Sequence, residues 1–193
     1  MKSRFPLYPL AELSGLPDDV AASILKIQEK SGFVPNVFLM LARRPAEFRA
    51  FFDYHDAIMY RSESSLTKGE REMVITTISA DNHCLYCVVS HGAILRVYEK
   101  NPIVADQVAV NYRHADITPR QRAILDFAVK VNKSAWEIAD SDFESLHHYG
   151  LDDEDAWDIA AITALFGLSN RMATVGKLEP NLEFYILGRT PRD

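Results

Sequence analysis

Three short stretches of this chain share one signal. Thr67-Lys-Gly-Glu70, Thr118-Pro-Arg-Gln121 and Ser141-Asp-Phe-Glu144 each set a hydroxyl residue three positions ahead of Glu or Gln. That spacing is a capping box, in which the hydroxyl accepts from the amide three residues on and the longer side chain reaches back. Repeated three times, it commits the chain to helices. The residues that follow agree: Met73, Val74 and Ile78 after the first box, and Ile124, Phe127, Ala128 and Val131 after the second, which has Pro119 at the favoured first helical position. Gly150 is a C-terminal stop for the third. Val20, Ile24 and Ile27 repeat at helical spacing between Asp18-Asp19 and Gly32. Pro45 opens a helix through Phe48, Phe51, Phe52 and His55 to about Tyr60. A last long helix is expected from about Asp153 to Ala173, with Ile159, Ile162 and Phe166 on one face. No run of alternating β-branched residues bounded by turns predicts a strand, so the expected fold class is all-α.

The 193 residues, 48% of them hydrophobic, suit one domain with an ample core. Residues 1–193 are expected to form a single domain. Leu66-Thr-Lys-Gly-Glu-Arg-Glu-Met-Val74 lines up with Ile117-Thr-Pro-Arg-Gln-Arg-Ala-Ile-Leu125, which suggests two weakly similar halves, about 20–112 and 113–175, and a C-terminal arm, 176–193. The arm reads as irregular or partly extended, but Leu182, Phe184, Tyr185, Ile186 and Leu187 are too apolar for a free tail. They should pack on the body or on another subunit. A net charge of -6 with no Lys/Arg cluster offers no footprint for nucleic acid. The apolar stretch Ile159–Leu168 is about half a membrane span. Pro6 and Pro9 interrupt the place where a signal peptide needs an unbroken apolar run. A cytoplasmic protein is expected, and in that reducing compartment paired cysteines point to redox chemistry or metal binding rather than a structural staple.

Both cysteines lie in Asn82-His-Cys-Leu-Tyr-Cys-Val-Val-Ser-His91. The helix opened by Thr67 should end near His83, and a new one should begin within Cys84 to Cys87 and run to Lys100. Cys84, Cys87 and His91 then fall on one stripe. The free amides of a helix N-terminus favour an anion, so a thiolate there is expected to have a lowered pKa. In an antiparallel hairpin turning near residue 83, Glu72 lies ~16 Å before the turn and His91 roughly 12 Å after it, at about 1.5 Å per residue. The turn can absorb that difference. A carboxylate facing an imidazole orients it and raises its basicity. Glu72, His91 and Cys87 thereby assemble as orienter, base and nucleophile.

Glu72, eleven intervening residues, Cys84-Leu-Tyr-Cys87, three more and His91 resemble the Glu-x11-Cys-x-x-Cys-x3-His signature of AhpD-like alkylhydroperoxidases, in the carboxymuconolactone decarboxylase superfamily. The fuller Asn82-x-Cys-x-Tyr-Cys-x-x-Ser-His91 pattern and the closing Glu179-Pro-Asn-Leu-Glu-Phe-Tyr-Ile-Leu-Gly-Arg189 resemble its peroxidase-related subgroup, so the likeness covers most of the chain. It implies an all-α AhpD-like fold with a Cys-x-x-Cys helix hairpin, a homo-oligomer (dimer, trimer or hexamer), and reduction of hydrogen or organic peroxides. Carried over position by position, Cys87 is the peroxidatic cysteine, Cys84 the resolving one, and His91 and Glu72 the proton relay. An external dithiol, lipoyl- or thioredoxin-like, would be the reductant; no metal, flavin or other cofactor is needed. The chain departs at Tyr86, where the well-studied alkylhydroperoxidases carry histidine. Tyrosine is neutral at pH 7 and a poor base, so Tyr86 is at most an accessory hydrogen-bond donor. His83 is a second accessory candidate, or simply a residue facing solvent.

Other readings stay open on the residues alone. Cys84, Cys87, His91 and Glu72 could bind zinc, although a second Cys-x-x-Cys is missing. Haem attachment needs His directly after Cys87, where Val88 stands. A ring-lactone decarboxylase would not need the cysteine pair. A thiol–disulfide oxidoreductase or redox sensor would use the same thiols without peroxide turnover, and a scaffold would bury them as small hydrophobes. Elsewhere, adjacent His147 and His148 point about 100° apart and do not converge on one ion. Asp152-Asp-Glu-Asp155 complements a helix dipole. Arg71 and Arg122, matched in the echo, are expected in helix–helix salt bridges. Phe48, Phe51, Phe52 and Tyr54 are assigned to core or interface, and Trp136, Trp157, Asn170 and Arg171 have no assigned role.

Overall fold

The computed structural model describes residues 8–189. The reading of Pro6, and that of the arm beyond Arg189, lie outside it. Ten α-helices are present among the described residues, and no strand: α1 (Asp18–Ser31), α2 (Asn36–Ala42), α3 (Pro45–Met59), α4 (Lys68–Asp81), α5 (Leu85–Glu99), α6 (Pro102–Asn111), α7 (Pro119–Ser134), α8 (Asp140–His147), α9 (Asp153–Val175) and α10 (Leu182–Ile186). The boxes at Thr67 and Thr118 close as expected: each hydroxyl accepts from the amide three residues on, and Glu70 and Gln121 accept from the cap amides. Gly32 ends α1 in the left-handed region at φ 82°.

The third box is corrected. Ser141 lies inside α8, whose cap residue is Ala139, and the Asp142 carboxylate takes the Ala139 amide at 2.8 Å. An acid at the third helical position did the reaching back without a hydroxyl partner. The arm is also more ordered than expected, because 182–186 coil into α10 against α5.

α4 is the axis, buried along its length from Gly69 to Ser79 and packed by α5, α6, α7 and α9. Burial on all sides normally demands an apolar helix, yet its first turns carry Glu70, Arg71 and Glu72. Each charge is met, as buried charges must be. Glu70 accepts from Arg120 at 2.8 Å. Arg71 donates to the carbonyls of Ile58, Met59 and Arg61, where α3 ends. Arg122 likewise donates to the carbonyls of Arg113 and Ala115. The salt bridges expected for these two arginines are therefore replaced by main-chain contacts, which satisfy carbonyls left without partners at segment ends.

Candidate active site

The turn from α4 to α5 is built from three residues. His83 N–H donates to the Ala80 carbonyl and Cys84 N–H to the Ser79 carbonyl, with His83 in the left-handed region at φ 55°. This is the Schellman arrangement, and a histidine tolerates it better than a β-branched residue would. The side chain of His83 is exposed, so its position is that of a turn former. Cys84 comes next and serves both helices. It closes the α4 turn with its amide and caps α5 with its sulfur, which accepts from Cys87 N–H at 3.4 Å.

Both cysteines are free thiols, 1% and 2% exposed, and come within 3.0 Å of each other. The hydrogen bond from the Cys87 side chain is the main reason the Cys84 thiol is pulled down, to about 6. Burial opposes this. The Cys87 amide, the Thr174 side chain and the His91 imidazole reinforce it. The same bond, in which it is the donor, pushes Cys87 up, aided by burial and the neighbouring negative charge, while the side chains of Asn170 and Ser169 pull the other way. The two shifts run in opposite directions, favouring the charge on Cys84 and the proton on Cys87.

Glu72 and His91 meet as the hairpin geometry requires: Glu72 Oε2 lies 2.8 Å from His91 Nδ1. Their side chains are 7% and 17% exposed. An ionised carboxylate only accepts, so Nδ1 carries the proton and Nε2 is left as the free basic site. The ring packs edge-on against Phe166 of α9, with centroids 4.8 Å apart. No hydrogen bond joins His91 to either sulfur among the described residues, so the acid–imidazole pair and the dithiol are neighbours rather than one bonded chain.

Tyr86 packs in the same buried cluster as the two cysteines. Its hydroxyl accepts from Val37 N–H at 3.1 Å, tying α5 to α2, and burial raises its pKa. Phe184 of α10 stacks edge-on with Phe33 and Tyr86, and with Leu178 and Ala173 it completes an apolar cluster around the sulfurs. A cavity of ≈ 150 Å³ between α5, α6 and α10 shares Val89 and Phe184 with that cluster. Among the described residues no three His, Cys, Asp or Glu side chains converge on a point that could hold a metal. No helix among them is long and apolar enough to cross a membrane.

The residues missed by sequence reasoning are those that α9 supplies: Phe166, Ser169, Asn170 and Thr174. They lie about 80 residues beyond the cysteines, and the packing of α9 against α4 and α5 brings them in.

The family model of the carboxymuconolactone decarboxylase family matches residues 45–130, which contain Glu72, both cysteines and His91. A solved structure described as an alkylhydroperoxidase AhpD core, an uncharacterized peroxidase-related protein from Ralstonia eutropha JMP134, is 64% identical, with a TM-score of 0.94 over 96% of this chain and 97% of its own. The chain belongs to the carboxymuconolactone decarboxylase family, in its AhpD-like, peroxidase-related group. A second AhpD-like structure, the uncharacterized peroxidase-related protein from Silicibacter sp. TM1040, is 37% identical, with a TM-score of 0.90 over 98% of this chain and 99% of its own. The debrominase Bmp8, solved as a variant in complex with 2,3,4-tribromopyrrole, shares the AhpD-like fold at 21% identity, with a TM-score of 0.71 over 86% of this chain and 88% of its own. No curated protein matches the chain.

Proposed function

We propose that this AhpD-like protein is a thiol-dependent peroxidase that cycles between the Cys84–Cys87 dithiol and its disulfide. The observation that carries this is a pair of buried free thiols within 3.0 Å of each other, set beside a carboxylate–imidazole pair joined at 2.8 Å. Proton exchange along the Cys87–Cys84 hydrogen bond moves the charge to Cys87. The Cys87 thiolate attacks the distal oxygen of a peroxide. The O–O bond breaks, and His91 Nε2, held in orientation by Glu72, takes a proton from solvent and passes it to the leaving alkoxide or hydroxide. The sulfenic acid at Cys87 then condenses with Cys84, releasing water and forming the disulfide. An external dithiol reduces it by exchange and is itself oxidised to a disulfide. The apolar surroundings of the sulfurs suit an organic peroxide.

The chain is further read as a cytoplasmic homo-oligomer. Leu168, Met172 and Val175 form an exposed apolar stripe on α9 that supports this reading.

The cycle is tested by following peroxide with excess dithiol while counting free thiols. The wild type should lose two thiols per peroxide and turn over repeatedly. Cys87→Ser should consume none. Cys84→Ser should perform one turnover and stop at the sulfenic acid. A single slow oxidation without cycling would favour the sensor reading, and equal residual activity in the two variants would refute the division of roles.

A further inference from the structure

Below the cysteines runs a chain of three asparagines. Asn132 Nδ2 donates to Asp81 Oδ2 at 2.8 Å and to Asn82 Oδ1 at 3.2 Å. Asn82 Nδ2 donates to Asn132 Oδ1 at 3.2 Å and to Asn170 Oδ1 at 2.9 Å. Asn170 Nδ2 donates to Ser79 Oγ at 2.9 Å. Asp81 is itself paired with Lys133.

The order of these bonds is not free. An amide side chain can be turned over, exchanging its oxygen for its nitrogen, but a carboxylate can only accept. Asp81 therefore fixes Asn132 with its nitrogen inward. That nitrogen claims Asn82 Oδ1, which turns the Asn82 nitrogen toward Asn170 Oδ1. With its oxygen occupied, Asn170 has only its nitrogen left to turn toward Ser79 and the cysteines. One of its two N–H groups goes to Ser79 Oγ. The side chain is 1% exposed, its partner Ser79 takes the Cys84 amide on its carbonyl at 2.9 Å, and its polarity pulls the Cys87 thiol down.

We propose that the second N–H of Asn170 donates to the Cys87 sulfur and that Asp81 fixes this polarity through Asn132 and Asn82. Asn170 touches the reacting atom; Asp81 is a positioning residue acting from three side chains away. The assignment deepens the peroxidase reading and rests on it for its catalytic meaning. A donor aimed at Cys87 favours the tautomer with the shared proton on Cys84, which is the form that attacks. It also remains in place to hold the oxygen of a Cys87 sulfenate.

The test uses the full chain carrying Cys84→Ser, in which Cys87 is the only remaining cysteine. The rate of alkylation by iodoacetamide is measured against pH. Adding Asn170→Ala should slow alkylation about tenfold at pH 7, the loss of one hydrogen bond to a charged group. Asn170→Asp should slow it further, because it presents an acceptor and a charge of the same sign to the thiolate. Asp81→Asn, which lets the amides invert, should slow it less and in the same direction. An unchanged profile with Asn170→Ala, or an Asn170→Asp rate no lower than that of Asn170→Ala, would overturn the assignment. If circular dichroism shows that the Asn170 variants do not fold, Asp81→Asn decides alone, and an unchanged profile refutes the proposal. Alkylation needs no peroxide. The expected order of rates in a protein that fails to turn over peroxide would therefore sink the peroxidase reading and leave the Asn170 assignment standing.

Discussion

Cys84 Sγ accepts from an amide and from a thiol while sitting near an imidazole, and all three hold its charge against burial. The consequence for pH has a definite sign. The depressed pKa means the thiolate forms above about 6 and is lost below it. Thiol reactivity and peroxide turnover should therefore be level near neutrality and fall tenfold per pH unit well below 6. Stopped-flow rates from pH 5 to 8 check this; a profile that rises only around the ordinary thiol value of about 8.5 would contradict it. At this scale, sequence reading reached what lies within one hairpin. Glu72 and His91 are 19 residues apart, and helix rise with the slack of one turn puts them level. Asn170 belonged to no local pattern, so neither its burial nor its partners could be read from its neighbours. Tyr86 was legible as a departure from histidine but not as a hydrogen-bond acceptor for α2, because α2 itself was not recognised.

Among the elements, α10 takes its side-chain hydrogen bonds from α5 through one residue. Arg96, 5% exposed, donates through Nε to the Leu187 carbonyl at 2.9 Å and through Nη2 to the Phe184 carbonyl at 2.6 Å. These bonds hold Phe184 over the sulfurs, and Gly188 at φ 74° leaves no room for a Cβ beside Arg96. Replacing Arg96 with Ala should cost about 2–3 kcal/mol through the loss of two charge-assisted bonds and should speed alkylation of the wild-type thiols severalfold. Urea denaturation and iodoacetamide kinetics measure the two effects; a destabilised variant with unchanged alkylation would show that α10 does not cover the thiols. Helix starts marked by Thr67, Thr118 and Pro45 could be read because each carries its own chemical signal. α2 carries none: Asn36-Val-Phe-Leu-Met-Leu-Ala42 is a short apolar run whose period cannot separate helix from strand. α6 carries one too, with Asn101 Oδ1 accepting from Ile103 N–H ahead of Pro102 at the first position.

For the molecule as a whole, α4 sets what the rest must provide. A fully buried helix that begins with Glu70, Arg71 and Glu72 needs partners from α3, α5 and α7, and that requirement orders the packing around it. The outer face of α9 has no such demand met. Leu168, Met172 and Val175 lie four and then three residues apart, on one side of the helix. If they lie between subunits, Leu168→Glu should reduce the mass seen by light scattering toward 21.8 kDa without loss of helix. A monomeric wild type would remove the oligomer reading. The turn at residue 84 carries a consequence for the whole fold. Cys84 closes α4 with its amide and caps α5 with its sulfur, and in the proposed cycle that sulfur is also an atom that changes oxidation state. Joining it to Cys87 replaces an anionic cap with a neutral one and weakens its hold on the first turn of α5. Under the proposed cycle the dithiol is thus a fastener as well as a reagent, and each turn would loosen and re-tie the hairpin at its exposed tip, beside His83 and Leu85.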